Sequence, residues 1–107
     1  MAGSLGDLGG LLRQAQKMQR QMAELQEELG KRKFDGQAGG GAVKAVVSGK
    51  RQLLELKIDP EAVDPSEAEL LEDLVLTAVN EALKAAEETS QQEMQGLSGG
   101  MGLPGMM

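Results

Sequence analysis

Three basic side chains, Arg13, Lys17 and Arg20, recur at helical spacing in the first quarter of the chain. Steps of four and three residues place them on one side of an α-helix, because successive helical residues turn by about 100°. A row of guanidinium and ammonium groups suits the phosphates of a nucleic-acid backbone. The same side chains would also keep a helix face solvated, and on the residues alone both readings stay open.

A second basic group, Lys31, Arg32 and Lys33, follows a predicted helix end at Gly30. Cations at this place offset the partial negative charge of a helix C-terminus, so a role as a solvated cap weighs as much as phosphate contact. We predict DNA contacts from both groups, namely Arg13, Lys17, Arg20, Lys31, Arg32 and Lys33.

The chain lacks the residues of the common catalytic sites. It contains no His and no Cys, which removes the commonest general base and the thiolate nucleophile. Neighbouring acids such as Glu72 and Asp73 diverge by about 100° on a helix, so they do not converge on one substrate. The glycine run ending at Gly41 is not followed by the Gly-Lys-Ser/Thr of a phosphate loop. We therefore expect a binding protein rather than an enzyme, with no cofactor, metal or small-molecule substrate.

The net charge of −6 is unevenly distributed along the chain. Residues 1–58 carry ten Lys or Arg against six Asp or Glu, which gives +4. Residues 59–107 carry one Lys against eleven acids, which gives −10. A local positive field attracts nucleic acid, weakly and with strong salt dependence, even on an acidic protein. Phe34 is the only aromatic residue, which argues against single-strand binding by base stacking.

The element that must position the first basic group is a helix predicted over Leu8–Leu29. Its apolar residues alternate in steps of three and four, the pattern of a helix that meets another helix along a narrow stripe. The basic residues lie on the opposite side of this helix. Because a chain of 107 residues buries only a thin core, a second subunit would help to fill it. The apolar stripe consists of Leu8, Leu11, Ala15, Met18, Met22, Leu25 and Leu29, of which we predict that Leu11, Met18, Met22, Leu25 and Leu29 form a homodimer interface.

Three short strands are predicted after this helix. A weak strand is expected around Arg32–Asp35, followed by a flexible glycine-rich run over Gly36–Gly41. Apolar and polar residues then alternate from Val43 to Ser48 and again from Leu53 to Ile58, with a turn at Gly49 between them. This alternation predicts a β-hairpin with one buried face.

A second long helix is predicted from the capping sequence that begins at Asp64-Pro65 to about Gln95. Its apolar face is broad enough to cover a sheet. Residues 1–95 then form one α+β domain of order α-β-β-β-α, with a small antiparallel three-stranded sheet and two long helices. Residues 96–107, rich in Gly and Met, are predicted to be a disordered tail. No segment approaches eighteen consecutive apolar residues, so we expect a cytoplasmic protein without a membrane partner.

Short motifs are spread over nearly the whole chain: Leu12–Gln19, the glycine run before Val43, Gly49, Ile58-Asp59-Pro60, Leu71–Val75 and Ala78-Val79-Asn80. Together they resemble the YbaB/EbfC family of bacterial nucleoid-associated proteins. The resemblance implies a tweezer-like homodimer, with long helices projecting from a joined sheet core, that binds double-stranded DNA in the cytoplasm and compacts or regulates it. It implies no particular residue as a DNA contact.

We therefore predict a dimeric nucleoid-associated protein that binds duplex DNA mainly through phosphate contacts. It would help to organise the nucleoid or regulate expression. The alternative is a protein-interaction scaffold, in which the apolar stripe and the Met-rich tail bind other proteins and the lysines only solvate the surface. The two hypotheses differ in the salt dependence of DNA binding, because a scaffold shows no salt-dependent DNA binding above background.

Overall fold

The computed structural model describes the backbone of residues 2–99 and the side chains of residues 8–97. The strands form one antiparallel sheet of order β1-β2-β3, which confirms the predicted α-β-β-β-α fold class. Two 3-10 turns, Pro60–Ala62 and Pro65–Glu67, connect the sheet to the second helix. The elements are α1 (Ala2–Lys31), β1 (Lys33–Ala38), β2 (Val43–Ser48), β3 (Leu53–Ile58) and α2 (Ala68–Gly99).

The core lies between α2 and one face of the sheet. The central strand β2 contributes every second residue to it, as the alternation predicted, and these side chains are fully buried. The facing residues of α2 are alanines spaced four apart, so they form one stripe along the helix. Small side chains there let the helix approach the sheet closely. The residues that meet are Val43, Ala45 and Val47 from β2 and Ala78, Ala82 and Ala86 from α2.

Gly36 belongs to β1, so the prediction of a flexible run starting at this residue was wrong. It pairs with Ala45 of β2. A Cβ atom added to it would lie 2.1 Å from the carbonyl oxygen of Ala78 and 2.5 Å from the amide nitrogen of Ala82. Glycine is required here because the backbone of α2 crosses directly over the strand. The turn that follows is made by Gly39–Gly41, all with positive φ.

The exposure of β3 differs from the predicted hairpin with one buried face. Leu56 lies opposite the buried Ala45 and therefore on the same face of the sheet, yet it is 39% exposed. Leu53 and Leu54 are 50% and 49% exposed. The physical reason is that α2 packs mainly over β1 and β2, while β3 lies at the edge of the sheet. A single chain thus leaves an apolar strand edge uncovered.

The bounds of both helices differ from the predicted ones. The start predicted for the second helix at Asp64-Pro65 was wrong, because Pro65–Glu67 form a 3-10 turn and α2 begins at Ala68. α1 begins at Ala2 rather than Leu8, and α2 extends to Gly99, four residues beyond the predicted end at Gln95. Residues 100–107 lie outside the described part of the chain, so a disordered tail there stays a prediction. The described residues measure 78 × 27 × 16 Å, because the helices reach well beyond the small sheet. Among residues 2–99, no helix has the length and hydropathy needed to cross a bilayer.

Candidate nucleic-acid interface

From Leu11 onward, α1 has a composition that favours a helix. Residues 11–29 contain no Gly, Pro or β-branched residue, and consist mostly of Leu, Gln, Met and charged side chains that favour helices. Residues 11–17 are all exposed, whereas Leu29 at the other end is 4% exposed. α1 is therefore an arm held at its C-terminal end and exposed over residues 11–17.

The stretch of this arm from Leu8 to Ala23 carries positive charge without acids. Residues 8–23 contain Arg13, Lys17 and Arg20 and no Asp or Glu. We call these three side chains the basic row. All three are exposed, and within residues 8–97 none makes an ion pair or a side-chain hydrogen bond. Seven residues of helix span about 10.5 Å, close to the axial rise of three base pairs.

The predicted dimer interface on α1 is partly used within the chain. Leu29 is buried by its own chain, and Met18, Met22 and Leu25 are half-buried. Leu11 is 60% exposed. The stripe is therefore open to a partner mainly toward its N-terminal end, and its role as a homodimer interface stays a prediction.

Lys31 and Lys33 lie at the C-terminal end of α1, as predicted. Lys31 approaches Glu27 on the same helix, with 3.8 Å between Nζ and Oε1. Lys33 is exposed and has no ion pair among the described side chains. The carbonyl groups that end a helix carry partial negative charge, which opposes the approach of a phosphate. This end of α1 is thus a weaker candidate for DNA contact than the basic row.

Arg32 is the most fully engaged of the predicted DNA contacts. Its Nη2 lies 2.8 Å from Oε1 of Glu28, and its Nη1 lies 3.3 Å from Oε1 of Glu93 on α2. The hydrogen bond that Arg32 donates to Glu28, together with the one it donates to Glu93, outweighs partial desolvation and raises the pKa of the Arg32 guanidinium. Both ends of the guanidinium are therefore occupied by carboxylates.

The structure places two further cations, Lys50 and Arg51, near the end of α1. The sequence pattern had indicated only a turn at these residues. The hairpin turn between β2 and β3 docks onto the end of α1, where the amide of Gly49 donates to the carbonyl of Arg32 over 3.0 Å. This brings Lys50 and Arg51 close to the Lys31–Lys33 group. Arg51 has a φ of 65° and donates both to the carbonyl of Gly49 and to Glu87 on α2. The hydrogen bond from Arg51 lowers the pKa of the Glu87 carboxyl. Two consecutive cations in a predicted turn were the available signal.

The open face of the sheet is a poorer candidate. A depression of about 410 Å³ there is lined by charges of both signs, so it does not select a polyanion. Within residues 8–97, no group of three acids is placed to hold a metal ion. The charged side chains around the depression are Asp35, Lys44, Glu55, Lys57 and Glu81.

The chain is similar to known proteins over nearly its whole length. A model of the YbaB/EbfC DNA-binding family matches residues 5–101. A nucleoid-associated protein of Clostridium kluyveri is 51% identical over 104 residues, which cover 97% of this chain and 91% of that protein. A nucleoid-associated protein of Clostridium acetobutylicum is 50% identical over 101 residues, covering 94% and 90%. The crystal structure of an uncharacterized protein from Helicobacter pylori superimposes with a TM-score of 0.69 at 27% identity, covering 84% of this chain and 91% of that one. The resemblance seen in the short motifs is thus confirmed, and the chain belongs to the YbaB/EbfC DNA-binding family.

Proposed function

We propose that this chain is a nucleoid-associated protein that binds double-stranded DNA as a homodimer, mainly through phosphate contacts, in the cytoplasm. In that role it helps to organise the nucleoid or to regulate expression. The observation that carries the proposal is the basic row: three cations on the acid-free stretch Leu8–Ala23 of a projecting helix, with no ion pair among the described side chains. The names of the relatives, which are nucleoid-associated proteins, support the same reading.

The basic row acts through charge and position rather than base recognition. Cations that neutralise phosphates hold a protein on the duplex without reading its sequence. A homodimer presents six such cations, and about half of them meet phosphates at once when the arms lie along one duplex. Each neutralised phosphate contributes about −0.9 to the slope of log affinity against log salt concentration, so we expect a slope near −3.

Two uncovered apolar surfaces support the homodimer. One is β3, whose Leu53 and Leu56 are exposed on the face that α2 covers elsewhere, and whose outer edge has unpaired backbone groups. The other is the N-terminal part of the apolar stripe, where Leu11 is exposed. A second copy that adds its own β3 to this edge would pair the backbone groups and cover the leucines. We propose the β3 edge as the main contact, with the apolar stripe contributing along the arms.

The test is the affinity for random-sequence duplex DNA, measured by fluorescence anisotropy between 50 and 200 mM salt. We expect micromolar binding at physiological salt. Changing Arg13, Lys17 and Arg20 together to Gln keeps helix propensity, so the fold should persist. Each lost phosphate contact removes about eightfold in affinity at 0.1 M salt. The triple variant loses about three contacts, so its affinity should fall at least tenfold and its slope should flatten.

A matched control removes three exposed cations elsewhere, by changing Lys44, Lys57 and Lys84 to Gln. It makes the same change in net charge, so a much smaller loss of affinity is expected from it. Unchanged affinity in a folded triple variant of the basic row would move the site to the Lys31–Lys33 group. A loss of affinity for one DNA sequence only would show that the basic row reads bases. If the parent protein does not bind DNA at all, the protein-interaction scaffold is favoured.

A further inference from the structure

Arg32 joins three parts of the molecule at the base of the arm. It is the single residue between the end of α1 and the start of β1. Its amide donates to the carbonyl of Leu29 over 3.1 Å, and its carbonyl accepts from the amide of Gly49 in the hairpin turn over 3.0 Å. Its guanidinium connects Glu28 of α1 to Glu93 of α2, over 2.8 Å and 3.3 Å. We call this pair of side-chain contacts the Arg32 bridge.

Elsewhere α1 and α2 are only loosely joined. A crevice of about 360 Å³ separates them, with Leu25 on one wall and Leu97 on the other. Among residues 8–97, the only other ion pair between different elements connects Arg51 to Glu87, which attaches the hairpin rather than α1. Within this part of the chain, the Arg32 bridge is therefore the only ionic contact between the base of the arm and α2.

We propose that Arg32 is a positioning residue, which sets the direction of α1 relative to α2 and thereby the place of the basic row, and that it does not contact DNA. This inference rests on the proposed function. A guanidinium whose two Nη atoms already donate to carboxylates binds a phosphate less well, because its charge is already paired. The helix C-terminus beneath it also carries partial negative charge that opposes a phosphate.

The length of the arm makes the direction at its base important. From Arg32 to Gln14 the helix rises about 27 Å. A change of about 10° at the base therefore displaces the region of the basic row by about 5 Å, more than the 3.4 Å axial rise between phosphates of one strand. A loosened base would spread the cations over positions that do not match the duplex.

The direction of the arm is measurable without DNA. The chain has no Cys, so spin labels on Q14C and N80C, both at exposed positions on α1 and α2, report one distance. Labelled protein is mixed with excess unlabelled protein, so that the distance within one chain dominates in a homodimer. We expect Arg32→Gln to broaden or shift this distance by several ångströms, about the 5 Å worked out for the arm.

Two variants and one control define the distance experiment. Glu93→Gln removes only the α2 side of the Arg32 bridge, so it should change the distance in the same way as Arg32→Gln. Lys31→Gln is the control, because Lys31 pairs with Glu27 inside α1 and joins no second element. Distances that stay the same in both folded bridge variants would overturn the proposal.

DNA binding gives a test based on the sign of the effect. If Arg32 only positions the arm, Arg32→Gln and Glu93→Gln should both weaken binding, because in both variants the basic row meets fewer phosphates. If Arg32 contacts phosphate, Arg32→Gln weakens binding while Glu93→Gln strengthens it, because an acid competing for Arg32 is gone. Opposite signs would overturn the proposal. Glu88→Gln, which removes an acid paired within α2, corrects for the change in net charge.

Arg32→Lys provides a further check that keeps the charge. A lysine ammonium binds a phosphate, but it does not connect two carboxylates through a planar fork as a guanidinium does. We expect this variant to broaden the label distance as Arg32→Gln does, and parent-like distance and affinity would overturn the proposal. If the parent protein shows no salt-dependent DNA binding, the proposed function fails, and the label distances still decide whether the Arg32 bridge sets the direction of the arm.

Discussion

Replacing Gly36 by Ala tests how closely α2 lies on the sheet. The new Cβ atom would be 2.1 Å from the carbonyl oxygen of Ala78, whereas a carbon and an oxygen in contact lie about 3.3 Å apart. The gap of about 1.2 Å must be opened between two backbones, since the oxygen belongs to α2 and the carbon to β1. Overpacking of this kind costs about 1–3 kcal/mol, and lifting α2 also loosens Ala82 and its neighbours. We expect a loss of about 2 kcal/mol or more in the free energy of unfolding.

The assay is urea unfolding at a fixed protein concentration, because a homodimer makes stability concentration-dependent. With a slope of about 1–2 kcal/mol per molar, the midpoint should fall by about 1 M or more. Gly10→Ala and Gly40→Ala are the matched controls, since neither added Cβ has an atom within 4 Å. The first should be neutral or stabilising in a helix, and the second should cost about 1 kcal/mol because its φ is +67°. A midpoint for Gly36→Ala equal to that of Gly40→Ala would refute the argument from close approach.

Two further predictions concern the dimer and a surface ion pair. Leu56→Glu should reduce the mass measured by light scattering to that of a monomer at micromolar concentration, because it puts a charge into the proposed β3 contact. Leu11→Glu should dissociate the dimer less. A dimer that is weakened more by Leu11→Glu than by Leu56→Glu would place the main contact on α1. Arg51→Gln should flatten the loss of stability as the pH falls below the ordinary pKa of a glutamate carboxyl, because Arg51 lowers the pKa of Glu87 in the folded chain. The stabilisation by the Arg51–Glu87 pair is present above the pKa of the unfolded carboxyl and is lost as the pH falls through the lower pKa of the folded chain. Identical acid unfolding curves for the parent protein and Arg51→Gln would contradict this prediction.

The local patterns in the sequence were sufficient for the order of elements. The heptad spacing from Leu8 to Leu29 predicted α1, and the alternation from Val43 predicted the buried side chains of β2. These features depend on residues close together in the chain, where the periods of 3.6 and 2 are visible directly. The ends of the helices were less well predicted, because glycine near a helix end lowers helix propensity without forbidding the helix.

The remaining features depend on contacts between distant residues. Gly36 looks like part of a flexible run until α2, about forty residues later, is placed across it. The exposure of Leu56 depends on which strands α2 covers, and an alternating pattern is the same for a covered or an uncovered strand. Arg32 pairs with an acid 61 residues away. The sequence of the Lys31–Lys33 group therefore did not show that its central residue, Arg32, contacts acidic side chains.

The separation of charge between α1 and α2 has a consequence for the assembled chromosome. Each chain that binds adds a net charge of −6 to the duplex it occupies, although its contacts to that duplex are positive. A coated duplex is then more negative in total than bare DNA, and the acids of residues 59–107 contribute most of that excess. Bound protein of this charge does not neutralise the phosphates overall, so it does not reduce the electrostatic repulsion between duplexes. In the proposed function, a chain of this charge could compact DNA only by joining or bending duplexes, with mobile cations supplying the neutralisation.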